Sequence, residues 1–504
     1  MLWTTGSAYV SYFLGLITSV LIARSLGADD YGQYAYVVWL SGLLVMVANN
    51  GLTMTGIKFI AESIGKKQEP QARYVHAWLL SKQRVSLLIV AVAYLLISPW
   101  MIPTGWNGWT FALAGVVVAS FVFKAQSLLN TSVAKGFGLF LVEPITNIYA
   151  TLFATISVIV LALLHAKLSA YIVVFSLTGI AYFIASRRGL NKERIEPSLE
   201  SSSPELNDRM KNYLIWAAVF AIVGAIGGRS IEMFLLNRWV GSADVGFFAI
   251  AAALSRAGID LLAAGLSSVM MPMMGYVMGG GDATRSQRFF DDACRYYQFM
   301  GLLIAGVGLL WADVVVELMY GPQYGSVAPI FRVMIATAGL LLANGAFSAV
   351  ILNSDNQRFR VEVMILSIVI TGVAAFLLIP VYGALGAALA QAISALLSAT
   401  VIVRGIRRHI GLRLAMGALS KQYVLAAAIG APLGLVAMLG DSRLIQWGAG
   451  VAYACLFVAM SLVAGIWRDD ERRMLAGVLA KRRWLQGLAR WIDRPASVAS
   501  MDNE

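Results

Sequence analysis

The chain has 504 residues, of which 59% are hydrophobic and only 13% charged, and its formal net charge is +12. An ordinary soluble protein carries about 25% charged residues, so a water-soluble globular fold is excluded. The two cysteines, Cys294 and Cys455, stand far apart, which excludes a disulfide framework and a thiolate metal site.

Apolar runs of about 20 residues recur along the whole chain, each long enough to cross a bilayer as a helix. Fourteen spans are predicted, at about 4–23, 34–57, 85–103, 109–128, 140–163, 169–186, 213–236, 246–272, 296–318, 326–351, 362–380, 384–403, 422–439 and 444–466. Charge orients them. With the N-terminus in the cytoplasm, 32 lysines and arginines, Lys124 and Lys135 among them, fall on the inner side and only four (Arg24, Lys167, Arg238, Arg443) on the outer side. This is the positive-inside pattern, so the basic balance is a topology signature and no nucleic-acid partner is expected. No basic stretch precedes the first apolar run, so no cleavable signal peptide is predicted there.

In chain order, the first notable stretch is "RSLGADDYGQYA", Arg24–Ala35, between spans 1 and 2. It returns as "RWVGSADVGFFA", Arg238–Ala249, between spans 7 and 8, every matched residue 214 positions from its twin. Gly51-Leu52 and Gly265-Leu266 continue the match, and Phe140, Val142 and Glu143 pair with Phe359, Val361 and Glu362 at an offset of 219. Spans 1–6 therefore read as one lobe and spans 7–12 as its repeat. An even number of spans per repeat gives both copies the same orientation, as in parallel transporter repeats with a site between the lobes. The motif glycines suit a tight turn, and Asp30 and Asp244 suit caps on the helices that follow. The expected organisation is an N-lobe (1–190), a cytoplasmic linker (191–212), a C-lobe (213–403), spans 13 and 14 (404–466) and a cytoplasmic tail (467–504). The tail's Leu475, Leu479, Leu485, Leu488 and Ile492 among basic residues predict an amphipathic helix on the inner leaflet. The fold class is all-α: a polytopic membrane protein with about 14 transmembrane helices, in two six-helix lobes plus two C-terminal helices.

A charge at the centre of a membrane helix costs roughly 2.5–3.5 kcal/mol, so it faces a cavity or a partner. Span 7 carries Arg229 and Glu232, and span 8 carries Arg256 and Asp260. Counted from the outer loop they share, the arginines sit at nearly the same depth. Arg229 and Arg256 are candidate substrate-binding cations, because arginine matches phosphate oxygens bidentately. Glu232 and Asp260 are candidate ion-pair partners or carriers of a coupling proton. Local pairing that merely neutralises charge is the competing reading. The matching positions of the first repeat, Gly15, Thr18, Gly42 and Met46, are uncharged. Asn49 and Asn50 in span 2 are candidates to line the cavity, or else bond to neighbouring helices. Glu143, Glu362, Arg332, Asn344 and Gln391 read as structural. His76, His165 and His409 read as solvated loop residues, and with no ligand spacing around them no metal or cofactor is expected.

The segment "LIARSLGADDYGQYAYVVWLSGLLVMVANNGL" (21–52) resembles the opening of polysaccharide-export flippases of the Wzx type. "LSSVMMPMMGYVMGGGD" (266–282) is similar to their eighth helix, and "IPVYGALGAALAQAIS" (379–394) to their eleventh-to-twelfth helix hairpin. The likeness runs to about span 12. It implies a bacterial inner-membrane protein that turns undecaprenyl-diphosphate-linked oligosaccharides from the cytoplasmic to the periplasmic face, for O-antigen or exopolysaccharide synthesis. It also implies lipid-linked oligosaccharide and membrane lipids as partners, with a polysaccharide polymerase and chain-length regulator beside them. The same superfamily holds drug/cation antiporters and the lipid II flippase, which are the alternatives. A membrane glycan polymerase fits less well, because every predicted outer loop is short. No enzymatic motif is present, and "GGGD" (279–282) lacks the lysine of a phosphate-binding loop.

Overall fold

A computed structural model describes residues 2–200, 204–227, 230–280, 282–352, 357–440 and 442–480. Every regular element among them is helical: α1 (Leu2–Leu26), α2 (Ala28–Asn49), α3 (Leu52–Gly65), α4 (Glu69–Ile97), α5 (Thr110–Gly136), α6 (Val142–Leu163), α7 (Leu168–Lys192), α8 (Pro204–Gly227), α9 (Ser230–Trp239), α10 (Ser242–Gly279), α11 (Ala283–Tyr320), α12 (Val327–Leu340), α13 (Asn344–Leu352), α14 (Gln357–His409), α15 (Met416–Leu439), α16 (Arg443–Val463) and α17 (Asp469–Ala480).

Among the described residues, 12 helices are long and apolar enough to cross a membrane, and α12 with α13, bent by 52° at their junction, forms one more. The length of α14 conceals a further span. Gly383 sits at φ 55 and ψ −133, where the helix breaks. Ser394 Oγ donates to the Ser367 carbonyl at 2.9 Å, although the two residues are 27 apart. Only limbs folded back on each other make that bond, so α14 is two spans joined by a tight hairpin at Gly383. The total is the 14 that hydropathy and charge predict. The chain is a multi-pass, all-α membrane protein.

Two boundaries differ from the hydropathy reading. Span 2 does not run to residue 57: α2 stops at Asn49, because Asn50 and Gly51 take left-handed conformations at φ 27 and 85. A Cβ on Gly51 would stand 2.6 Å from Ala217, so glycine also permits the close approach of α8. Helix α3 then starts afresh and buries Phe59 and Ile60 against Leu79, Leu129 and Val133. Span 4 is longer than its apolar run. Helix α5 continues to Gly136, past the predicted end at about 128, so Lys124 lies well inside the helix and not near its end. The charge bias survives the loss of that one residue.

The chain divides into two compact units. The first comprises Met1–Ala253, Met319–Ile330 and Met364–Ser394, and the second Leu254–Leu318, Phe331–Val363 and Ala395–Glu504. In the first, Arg209 of α8 holds both carboxylate oxygens of Glu62 on α3 at 3.1 Å. In the second, Phe299 and Phe457 stack at 5.2 Å between ring centroids, in a core completed by Leu302 and Tyr453. There too, Arg295 donates to the Ile466 carbonyl at 3.0 Å and pairs with Glu471, which also accepts from Tyr296. These bonds fasten the start of α17 to the start of α11. Leu485, Leu488 and Ile492 of the predicted tail helix lie outside the described residues.

Candidate functional site

The two copies of the repeated motif open α2 and α10, and in the first unit they meet. Gly27 and Gly241 turn the chain at φ 79 and 146. A Cβ on Gly32 would lie 1.7 Å from the Ser242 carbonyl oxygen, and one on Gly246 would lie 3.1 Å from the Gly32 Cα. The second glycine of each copy is thus where the two helix starts cross backbone to backbone. Neither aspartate caps its own helix as the motif suggests; α2 has no side-chain cap. Asp244 Oδ1 instead accepts the Ala384 N–H at 2.8 Å, so it caps the limb of α14 that leaves the Gly383 turn. Arg24 donates to the Met319 carbonyl at 2.8 Å, and Tyr324 to the Ala23 carbonyl at 2.6 Å. The motif ties together the helix ends opposite the basic loops.

An amide cluster lies at the other end of α2. Gln83 on α4 donates to Asn49 Oδ1 at 2.8 Å and to the Ala125 carbonyl at 2.9 Å, joining α2, α4 and α5. Asn49 is buried, and its Nδ2 has no partner among the described residues. Asn50 donates to Ser86 at 3.2 Å. Both asparagines therefore bond to α4, and Asn49 keeps one donor unused.

Of the four predicted charges, Glu232 is buried on α9, 2% exposed. Arg256 is exposed on α10, 14 residues past Ser242, which is about 21 Å along the helix at 1.5 Å per residue. It has no ion-pair partner among the described residues. Arg229 and the side chain of Asp260 lie outside the described residues.

Hydropathy misses two features. Lys124 sits 14 residues past Thr110 on α5 with Nζ 2.9 Å from the Tyr182 ring centroid, a cation held over an aromatic face within a span. The second unit contains a slot of about 840 Å³ between α11, α12 and α15, walled by Leu302, Leu309, Ala336 and Ala427. Among the described residues that line it, the one ion pair is Arg332 with Asp313, which share a side-chain hydrogen bond. Arg332 is thus tied to Asp313 at the slot, a half-exposed ion pair. The signal for Lys124 is the absence of any helix breaker between it and Gly136. His76, expected in a loop, is instead buried in α4, 4% exposed.

Residues 1–278 match the family described as polysaccharide biosynthesis protein. The chain belongs to that family. No curated protein matches it in sequence. Among solved structures, the fold is similar to a lipid II flippase, MurJ, in an inward closed conformation. That likeness has a TM-score of 0.72 at 13% identity and covers 91% of this chain and 98% of that one. A multidrug resistance MATE family transporter of the MOP superfamily follows at 0.67 and 14% identity, covering 82% and 96%. A MOP superfamily transporter from Pyrococcus furiosus gives 0.56 and 15% identity, covering 81% and 94%. The family and the fold are thus those implied by the resemblance of residues 21–52 to polysaccharide exporters.

Proposed function

We propose that this family member is a flippase that carries undecaprenyl-diphosphate-linked oligosaccharide units from the cytoplasmic to the periplasmic leaflet of a bacterial inner membrane. It acts by alternating access and performs no catalysis, and both termini lie in the cytoplasm. The observation that carries the reading is the polysaccharide biosynthesis match over residues 1–278, on a fold shared with a lipid II flippase.

The chemistry of such a cargo asks for three things: cations for the diphosphate, donors for sugar hydroxyls and an apolar surface for the polyprenyl chain. Arg229 and Arg256 serve the diphosphate; Arg256 is exposed deep within its span, as a cavity cation must be. Asn49, with its unused donor, and Asn50 serve the glycan. The apolar slot of the second unit offers a surface to the chain. Glu232 and Asp260 hold the arginines when the site is empty, and one of them carries a coupling proton. The contact between the two motif copies supports an alternating cycle, because it fastens helix ends on the side away from the basic loops. A polymerase and a chain-length regulator receive the product.

The test is export in cells that make Arg229→Ala or Arg256→Ala protein. Each substitution abolishes export while the protein stays in the membrane at normal amount. Normal export from both would sink the assignment of these arginines.

A further inference from the structure

On the side where the chain concentrates its basic residues, the start of α6, the turn before it and the end of α7 line a cleft of about 910 Å³ in the first unit. Its walls are Ile145 and Tyr149 of α6 and Ile184 of α7, with Phe140 from the turn before α6. Arg188 and Lys192, one helical turn apart on α7, stand at its mouth. Phe140, Ile145 and Tyr149 are 61, 48 and 65% exposed, so the cleft opens outward onto lipid and not into packed protein.

We propose that this cleft binds an anionic glycerophospholipid of the basic-side leaflet, its phosphate on Arg188 and Lys192 and an acyl chain between α6 and α7. The two parts have the right order. Apolar lining runs from Arg188 back to Ala181, seven residues, which is about 10 Å toward the membrane centre. A basic mouth above an apolar cleft between spanning helices is the geometry that recognises anionic headgroups. Glu193 also borders the mouth, but the two cations leave it positive. Lys135 adds nothing to the charge, since it pairs with Glu143 at 2.6 Å. The cargo is also a lipid with phosphate, so the test must separate the two. The site is independent of the flippase assignment, because none of its residues is among the proposed cargo contacts.

The experiment is native mass spectrometry of the full-length protein, purified in detergent and offered equal amounts of phosphatidylglycerol, phosphatidylcholine and undecaprenyl phosphate. Wild type retains one phosphatidylglycerol in preference to phosphatidylcholine. Arg188→Gln with Lys192→Gln abolishes the preference, by about a factor of five for each charge removed. Ile184→Trp, which fills the cleft and leaves the charges, lowers retention of both glycerophospholipids. Size-exclusion elution confirms that each variant is folded. Equal retention of the two glycerophospholipids by wild type, or an unchanged preference in the double variant, overturns the proposal. So does undecaprenyl phosphate occupying the site while phosphatidylglycerol is ignored, which would assign the cleft to cargo entry.

Discussion

Gly32 and Gly246 hold the same place in two copies of one motif, and their backbones lie against each other: a Cβ on Gly246 would stand 3.1 Å from the Gly32 Cα. A sequence that repeats itself 214 residues apart has thereby built one contact from two like halves. The requirement is unequal. A Cβ on Gly32 meets a carbonyl oxygen at 1.7 Å, which no side-chain movement relieves.

Gly32→Ala is therefore expected to push α2 and α10 apart and to destabilise the protein by about 1–3 kcal/mol, the usual cost of overpacking. Gly246→Ala costs less. Gly42→Ala, with no atom within 4 Å of its added Cβ, is neutral and serves as the control. Thermal unfolding of the purified variants ranks them. A Gly32→Ala protein as stable as wild type would mean that the crossing is looser than described.

Asp244 caps a helix 140 residues away in sequence, at Ala384. Asp244→Ala should lower stability by about 1 kcal/mol, as the loss of a cap does, whereas Asp244→Asn keeps an acceptor and stays close to wild type. The same thermal measurement decides. Equal losses in the two variants would point to charge, and not capping, as the role of Asp244.

Arg332 and Asp313 stand together in an otherwise apolar slot. Removing one leaves a lone charge, while removing both leaves none. Arg332→Leu should cost on the order of 1–2 kcal/mol, discounted because both side chains keep some solvent access. The double variant Arg332→Leu with Asp313→Leu should recover most of that loss. A double variant no more stable than the single one would contradict the pairing.

Glu62 lies outside the spans, where the Lys66 ammonium first and the Arg209 guanidinium second hold its carboxyl below the usual glutamate range. A carboxyl depressed in the folded state adds stability above its unfolded pKa, and that stability is lost as pH falls through the folded value. The clasp between α3 and α8 is therefore intact at neutral pH and opens only on acidification below the ordinary glutamate range. Hydrogen exchange across residues 204–212, corrected for intrinsic rates, should show faster opening in acid. Glu62→Gln should open at neutral pH and lose the pH dependence. Identical exchange in the two proteins would remove Glu62 from the clasp.

The spans are legible in the sequence because lipid tolerates few charges, so each polar gap marks an exit from the membrane. Helix ends are less legible. The polar stretch after about residue 128 looks like an exit, yet α5 continues to Gly136 because Asn130 and Ser132 find partners inside the protein. Asn49 and Asn50 could be picked out as polar residues in a span, but their bonds to Gln83 and Ser86 depend on how α2 and α4 pack. The motif is visible as a repeat. Its meaning, glycine against glycine and Asp244 on Ala384, is a property of partners that no local pattern names.

The central claim is tested most directly by locating the cargo. In a strain lacking this gene, undecaprenyl-linked oligosaccharides are extracted after exposure of intact spheroplasts to a glycan-cleaving enzyme added outside. Finished units should accumulate out of the enzyme's reach, and wild-type protein should expose them while Arg229→Ala does not. Units that reach the periplasmic face in the deletion strain would contradict a flippase and move the protein to a later step.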